Sequence, residues 1–509
     1  MIVALEHRTF SPRDLLLANK WSSLLFTTYS LSLSFLEAVA ISAVARTFRS
    51  FTVLTDLEGY RSSLADAGAI GVGRNYDLVP VRVERGVFHP KIGIMADEES
   101  TVRAIVGSGN LTFGGWGYNT EVLDVLIPGI DSNCFADLAG FLEAVAEAAV
   151  PGGRLSIERL PDLGRFVETC RRASRAPGAG NSRVLHTVSE PLDVQLGRVT
   201  SELGGATSLT VVSPFFSGHL GVMQLATALS CETISVAVPP VAPAIFDFSR
   251  CRQAGFSVSP VACDLFSDTR SLHAKLFDIE CRRGRLIVVG SANATTAAVS
   301  GRNVEAVVTR IVDGASSLGW RPSGTHEGQA TDERPPEESS GPCVVAHFDG
   351  QDIFGRVFGL PNPKGEWLGS LSSGTRREAA ERFTVDDSGR FRFSPPDGMD
   401  PITLPGSAQV ILERDGIEIR GWLVLQDLLH AIQEKGPIAR SFSRMLSGIS
   451  ASADVGAFLE YLAKAPATIL DAADRQGGGR RDRPGAAPHI GGRKACRRRD
   501  HTTGDAAMA

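Results

Sequence analysis

None of the eight cysteines in this 509-residue chain falls in a CxxC pair. Cys134, Cys170, Cys231, Cys251, Cys263, Cys281, Cys343 and Cys496 are scattered, a spacing that argues against a disulfide framework or a zinc site and fits reduced thiols. Basic excess is missing as well. Lys and Arg number 52 against 57 Asp and Glu, a formal net charge of −5, which excludes a uniformly basic nucleic-acid coat but not a local positive groove. The opening MIVALEHRTFSPRD lacks a basic segment ahead of an apolar core, and no signal peptide is expected. The longest apolar stretch, WSSLLFTTYSLSLSFLEAVAISAVARTF, is rich in Ser and Thr and carries Glu37 at its middle, which a membrane span tolerates poorly. A strand at 24–29 leading into a buried helix at 35–45 is expected there instead. These absences together point to a cytoplasmic protein without a membrane span.

What is present is an ordinary globular composition, 43% hydrophobic and 21% charged, over a length that calls for several domains. Short β-branched runs alternate with amphipathic segments through the first region: FTVLTD, LEGYRSSLADAG, LVPVRVE, FHPKIGIM, VRAIVGS and EVLDVLI, then a helix at 135–150. That alternation predicts an α/β fold with mixed sheets flanked by helices. The Pro/Gly/Ser-rich SRAPGAGNS interrupts it, after which TSLTVVSPF, a helix at 219–229, TISVAV, FSVSPVA, LHAKLFDIE, GRLIVVGS and VEAVVTRI repeat the order of elements. An internal duplication follows from this repetition.

The expected domains are a first lobe at 1–173 and a second at 186–317. A Pro- and Glu-rich linker at 318–342 leads to a β-rich accessory domain with a helical end at 343–470. CVVAHFDG, GRVFGL, RFTVDDSGRFRFSP and AQVILERDGIEIRGWLVL, with turns such as DDSG and ERDG, predict an antiparallel sheet there. Residues 471–509 are Arg/Gly-rich with few apolar positions, and disorder is expected.

Three polar signatures recur in one order in both halves. His89-x-Lys91 answers His273-x-Lys275, Gly107-Ser108-x-Asn110 answers Gly290-Ser291-x-Asn293, and Asn119-x-Glu121 answers Asn303-x-Glu305. The interval from His to the final Glu is 32 residues in each copy (121 − 89 and 305 − 273). Taken singly, an HxK is usually an exposed strand face and a GSxN is often only a turn. Core packing does not repeat three polar signatures in one order at nearly one spacing, so the set marks a site.

The pattern resembles the phospholipase D superfamily, whose members carry two HxK…GSxN motifs meeting at one active site. The downstream Asn-x-Glu is similar to its bacterial nuclease branch. The likeness covers roughly residues 10–315 and implies two pseudo-two-fold-related phospholipase D-like lobes. Where the family usually has Asp five residues after the Lys, this chain has Ala96 and Glu280, with Asp97 one place late.

The resemblance implies a phosphodiesterase working through a covalent phosphohistidine, with His89 as nucleophile and His273 as general acid; the sequence alone leaves the reverse order open. Lys91 and Lys275 would hold the non-bridging oxygens, and Asn110 and Asn293 would donate further hydrogen bonds. The GSxN turns, through Ser108 and Ser291, would open helices whose N–H groups bind phosphate. Glu121 and Glu305 are the natural acceptors for a histidine Nδ1–H, while Asn119 and Asn303 rank below the other residues. With lysines supplying the charge, neither metal nor cofactor is called for.

Nucleic acid is the expected substrate. A phospholipid phosphodiesterase or transferase of the same fold and a non-catalytic phosphate-binding module are the alternatives. The C-terminal β domain is a candidate surface for a protein partner, and the oligomeric state is open. His186, His219 and His347 read as core or surface histidines, with His219 a minor candidate for lining the pocket. Trp116 and Tyr118 are read either as an aromatic platform or as lobe packing.

Overall fold

The computed structural model describes residues 11–464 except 67, 179, 238–245, 264–269, 315–317, 325–340, 375, 397–398 and 449. The tail at 471–509 and most of the expected linker lie outside the described residues. Up to Phe458 the chain forms one compact unit; from Leu459 a second begins, described only to Lys464 at the end of a helix.

Two sheets carry the duplication. In the first, β1 (Ser23–Thr28), β2 (Ser50–Asp56) and β3 (Asp77–Val83) run parallel, and β4 (Ile92–Ala96), β5 (Val102–Gly107) and β6 (Leu123–Leu126) add antiparallel on the other side of β1. The order is β6-β5-β4-β1-β2-β3, closed by the short β7 (Leu155–Ser156). After β8 (Ser182–His186), the second sheet repeats the plan. Parallel β9 (Ala206–Val212), β10 (Thr233–Ala237) and β11 (Ser257–Ala262) are followed by antiparallel β12 (Leu276–Cys281), β13 (Gly284–Gly290) and β14 (Ala306–Val312) in the order β14-β13-β12-β9-β10-β11. Strand directions match pair for pair, so the chain is an α/β fold of two lobes with one topology.

Two expected boundaries shift. β8 pairs with β14, so the second lobe's sheet starts at Ser182 rather than 186. The expected linker is tethered at its start: Leu318 is buried, Trp320 Nε1 donates to Asp278 Oδ2 (2.7 Å), and β15 (Arg321–Pro322) pairs with β11. Apolar side chains in an otherwise polar stretch hold it to the lobe.

The lobes share a core. The helix Ser132–Ala148 buries Phe135, Leu138, Phe141, Leu142 and Val145, a helical stripe, in one apolar cluster. Ile92 and Val106 of the first sheet and Val304, Ala306 and Val308 of the second lobe belong to that cluster. Arg310 on β14 adds a bidentate bridge to Asp124 on β6 (2.6 and 2.7 Å) and a bond to Asp131 (2.9 Å). Charge-assisted forks of this kind fix orientation as well as contact.

The second half of the longest apolar stretch is a buried helical run, Leu33–Val44, with a wide turn at Leu36–Ile41. Glu37 caps a neighbouring loop, accepting from Gly71 N (2.8 Å), Ile70 N (3.0 Å) and Tyr76 Oη (2.9 Å). Among the described residues no helix is long and apolar enough to cross a membrane. The seven described cysteines are buried, and no disulfide joins any two of them.

The C-terminal sheet contains β16 (Cys343–Phe348), β17 (Ile353–Phe358), β18 (Gly365–Ser373), β19 (Arg376–Val385), β20 (Arg390–Phe393), β21 (Ala408–Arg414) and β22 (Ile417–Leu425). It departs from the antiparallel expectation at one seam, where β16 lies parallel to β22. A first strand meeting the last is a non-local pairing that turn signals do not reveal. Helices Gln426–Lys435 and Pro437–Leu446 follow it. The sheet docks on the first lobe through Tyr60, whose hydroxyl donates to Val344 O (2.9 Å) and accepts from Trp422 N (2.8 Å). Gly73 sits at φ +71°, and a Cβ there would lie 2.1 Å from Leu423 O, so only glycine lets the two backbones approach.

Candidate active site

The HxK pairs were expected inside strands, but they stand just before them. β4 begins at Ile92 and β12 at Leu276 because the preceding backbone is diverted to the opposite lobe. His89 N donates to Val304 O (2.9 Å) and Val304 N to Val87 O (2.9 Å). In the mirrored arrangement His273 N donates to Thr120 O (2.9 Å) and Thr120 N to Ser271 O (2.9 Å). Each histidine is therefore threaded beside the other lobe's Asn-x-Glu segment.

The side chains cross in the same way. His89 Nδ1 lies 2.8 Å from Glu305 Oε2, and His273 Nδ1 lies 2.6 Å from Glu121 Oε1. A carboxylate at Nδ1 holds the proton there and leaves Nε2 as the basic nitrogen of each neutral ring. Both carboxylates are themselves held. Ser108 Oγ donates to Glu121 and Ser291 Oγ to Glu305. Asn119 Nδ2 reaches Glu121 Oε1 (3.4 Å), and Asn303 Nδ2 reaches Glu305 Oε1 (3.2 Å).

This corrects two expectations. Ser108 and Ser291 are fully buried and spend their hydroxyls on the glutamates, while their N–H groups bond Val122 O and Ala306 O. They position carboxylates and offer nothing to phosphate. Nor do the GSxN turns open helices: the next helical turns begin only at Gly114 and Thr296. Leu111 and Ala294 instead bridge to Leu31 and Phe216 in extended backbone.

Those bridges expose a further repeat. Leu111 N donates to Thr28 Oγ1 (3.1 Å) and Ala294 N to Ser213 Oγ (3.0 Å); Thr28 Oγ1 donates to Ser30 O and Ser213 Oγ to Phe215 O, both at 2.7 Å. Thr28-Tyr29-Ser30 and Ser213-Pro214-Phe215 are thus equivalent corners at the ends of β1 and β9. Asn110 Oδ1 accepts from Thr28 Oγ1 (3.3 Å), Tyr29 N (3.3 Å) and Ser30 N (3.4 Å). Proline at 214 has no N–H to offer, and the buried Asn293 Oδ1 finds no hydrogen-bond partner among the described residues. The repeat is visible in LLFTTYS against LTVVSPF once the first strands are aligned.

Lys91 and Lys275 are buried, each Nζ donating to the carbonyl of its own histidine (2.8 and 2.6 Å). Lys275 Nζ also lies 3.2 Å from His273 Nε2, whereas His89 Nε2 has no hydrogen-bond partner among the described residues. Burial and the Lys275 charge push Lys91 well below the usual ammonium range; burial brings Lys275 to about 8. Burial also lowers both imidazoles, His89 to about 4, against the pull of their glutamates. Burial pushes Glu121 and Glu305 upward, yet the hydrogen bond and charge of the partner histidine hold both below the ordinary value. Near His89, Asp56 accepts from Phe88 N (2.7 Å), and burial raises its carboxyl to about 6.

An ammonium held against burial and a like charge does not stabilise the fold. Lys91→Met is expected to raise the melting temperature by roughly 2–4 °C, on the order of 1 kcal/mol in a large domain. A thermal scan in which the variant melts below the parent would contradict this.

Other sequence candidates lie elsewhere. Ala96 ends β4 away from Lys91, and Asp97 is engaged in a turn with Asn19 Nδ2 (2.6 Å) and Thr101 N (2.7 Å). Glu280 bonds Ser208 Oγ (3.1 Å) on the β9 side. Neither acid substitutes for the family's aspartate at the site. His186 packs against Phe141 and His347 against Phe354; His219 precedes the helix Leu220–Ala228 and bears on Asp247. Trp116 packs on Phe26 and Phe35, while Tyr118 is 72% exposed.

Arg154 was missed by sequence reasoning. From the first lobe its guanidinium donates to the carbonyls of Thr187, Val188, Gly301, Arg302 and Asn303, fixing the turn that delivers Glu305. No motif marks an arginine whose partners are backbone oxygens.

No protein-family model matches the sequence, and no curated protein matches it. Solved structures with a similar chain path include yeast tyrosyl-DNA phosphodiesterase (TM-score 0.40, 12% identity, 61% of this chain and 89% of that one). Phosphatidylserine synthase from Haemophilus influenzae gives 0.38 at 14% identity over 59% and 79%, and polyphosphate kinase from Porphyromonas gingivalis 0.35 at 12% over 61% and 44%. Likenesses this weak describe chain path and say nothing of chemistry.

Proposed function

From a phospholipase D-like fold, two lobes of one strand order each delivering an HxK and a GSxN to a shared centre, we propose that the chain hydrolyses phosphodiester bonds, with nucleic acid as substrate. The observation that carries the reading is the crossed pair His89–Glu305 and His273–Glu121 over two buried lysines. A non-catalytic phosphate module needs cations but has no use for two oriented imidazoles.

In the first step the His89 Nε2 lone pair forms an N–P bond as the P–O bond to the leaving group breaks. The proton on His273 Nε2 passes to the leaving oxygen. In the second, water forms an O–P bond, the P–N bond breaks, and the water proton goes to His273. Glu305 neutralises the cationic phosphoimidazole through Nδ1–H, and Lys91, Lys275, Asn110 and Asn293 hold the non-bridging oxygens. The two lysines supply the charge that a metal ion would otherwise provide.

His89 suits the nucleophile because its Nε2 is unengaged and its ring is the one held at about 4, hence neutral over most of the pH range. The test is cleavage of DNA, RNA and bis-p-nitrophenyl phosphate in EDTA by the parent, His89→Ala and His273→Ala proteins. Activity that needs added metal, or that survives both substitutions, would overturn the proposal.

The pH dependence follows in sign. Productive free enzyme needs His89 neutral and His273 protonated. As pH rises, kcat/KM should climb through about 4, where His89 loses its proton, and fall as His273 loses its own below the ordinary imidazole range. The optimum therefore lies on the acid side of neutral. Bound phosphate raises the His273 value, so kcat should keep its activity to higher pH than kcat/KM. A kcat/KM maximum above neutrality would contradict these assignments.

A further inference from the structure

The two halves of the site match in every catalytic residue and differ at the mouth. Where the first lobe has Tyr118 just before Asn119, the second has Arg302 just before Asn303. Where the first corner has Ser30, the second has Phe215. Both aromatic members of these unequal pairs adjoin groups tied to His273. Tyr118 adjoins Asn119, whose amide bonds Glu121, the carboxylate on His273. Phe215 sets its ring edge-on to His273, with centroids 6.2 Å apart and planes at 82°. On the His89 side Arg302, whose Nε donates to Arg85 O (3.2 Å), stands in the place of Tyr118 and Ser30 in that of Phe215, while the ring beside His89 is the half-buried Tyr29, with centroids 5.3 Å apart.

Neither ring is there to fill the core: Tyr118 is 72% exposed and Phe215 50%. Neither is on a slack segment. Phe215 is pinned by the Ser213 hydroxyl, which bonds both its carbonyl (2.7 Å) and its N–H (3.4 Å). Tyr118 ends the wide turn Gly114–Tyr118, closed by Asn119 N to Gly114 O (2.9 Å) and anchored by Trp116. Exposed aromatic rings on fixed backbone beside a phosphate site are the surface on which unpaired bases stack.

We infer that Tyr118 and Phe215 form a stacking platform for the nucleobase on the leaving-group side of the scissile phosphate, which makes single-stranded nucleic acid the preferred substrate. This rests on the proposed function, with His273 as the acid at the leaving oxygen. A base in a duplex is already stacked and paired and must be extruded before it reaches the rings.

The experiment compares kcat/KM for a single-stranded oligonucleotide, the same strand annealed to its complement, and the same strand with one abasic residue on the leaving side of the cleaved bond. The parent, Tyr118→Ala, Phe215→Ala and Tyr118→Phe proteins are used, with melting temperatures as a check on folding. Each alanine variant should lose roughly ten- to a hundredfold on the intact single strand, and Tyr118→Phe should lose little. Removing the base should cost the parent a similar factor, and combining it with either alanine variant should cost no more than the larger single loss. If the parent cleaves oligonucleotides but ring and base removal have no effect or add independently, the platform is wrong and the nuclease reading stands. If the parent cleaves only other phosphodiesters, both the nucleic-acid reading and the platform fall.

Discussion

With bis-p-nitrophenyl phosphate, His273→Ala protein should release about one equivalent of nitrophenol per active site in a burst and then stall, while His89→Ala protein should show no burst. The reason is the division of labour between the two rings. An activated aryl oxide departs without receiving a proton, so the first P–O bond breaks even when His273 is absent. The second step still needs a base to take a proton from water, and with that base gone the phospho-His89 intermediate accumulates. On a substrate whose leaving group is an alkoxide, such as an oligonucleotide, the same variant loses the proton donor too, and activity should fall by roughly 10²–10⁴. Removal of His89 takes away the atom that attacks, and both substrates should lose turnover. Acid-labile, base-stable label on the stalled His273→Ala protein, mapped to residue 89, would identify the intermediate. A burst from His89→Ala with none from His273→Ala would reverse the two roles. A burst from neither would remove the covalent mechanism.

The residues to which we assign this chemistry were legible in the sequence because chemistry restricts their types. Only His, Lys, Asn and Glu do these tasks, and finding them twice at one interval marked the site. Which histidine faces which glutamate was not legible. Equal intervals of 32 residues fit pairing within a lobe as well as pairing across lobes, and the choice is made by backbone bridges such as Phe88 to Val304 and Thr120 to Leu272. The two-lobed α/β plan followed from alternating apolar runs, since each strand's pattern is local. Strand order, the parallel seam between β16 and β22 and the tether at Leu318 and Trp320 are non-local, and no residue pattern announces them. Ser108 and Ser291 were placed on the phosphate because their turn has the composition of an anion cradle. Their actual partners lie 13 and 14 residues downstream on the carboxylates, a fact about folding back that a turn motif cannot carry.

Crossed pairing has a kinetic consequence that same-lobe pairing lacks. Glu305→Gln should slow the nitrophenol burst by roughly 10³–10⁴, the cost of a wrong tautomer at a triad acid, although Glu305 lies in the lobe opposite His89. A glutamine amide can turn its NH₂ toward Nδ1, which forces the imidazole proton onto Nε2, the nitrogen that must attack. Ser291 and Asn303 hold the side chain where Glu305 stood, so geometry is kept while the tautomer is lost. Glu121→Gln acts on the other ring. It should leave the aryl burst nearly intact, because that step needs no proton, and slow the turnover that follows, because His273 then accepts the water proton poorly. The two glutamine variants thus separate in opposite phases of one progress curve. Combined with His273→Ala, Glu121→Gln should add little, since the ring it serves is gone, whereas Glu305→Gln should still suppress the burst. Stopped-flow traces in which Glu121→Gln suppresses the burst and Glu305→Gln spares it would mean that His273, with its own cross-lobe carboxylate, is the nucleophile.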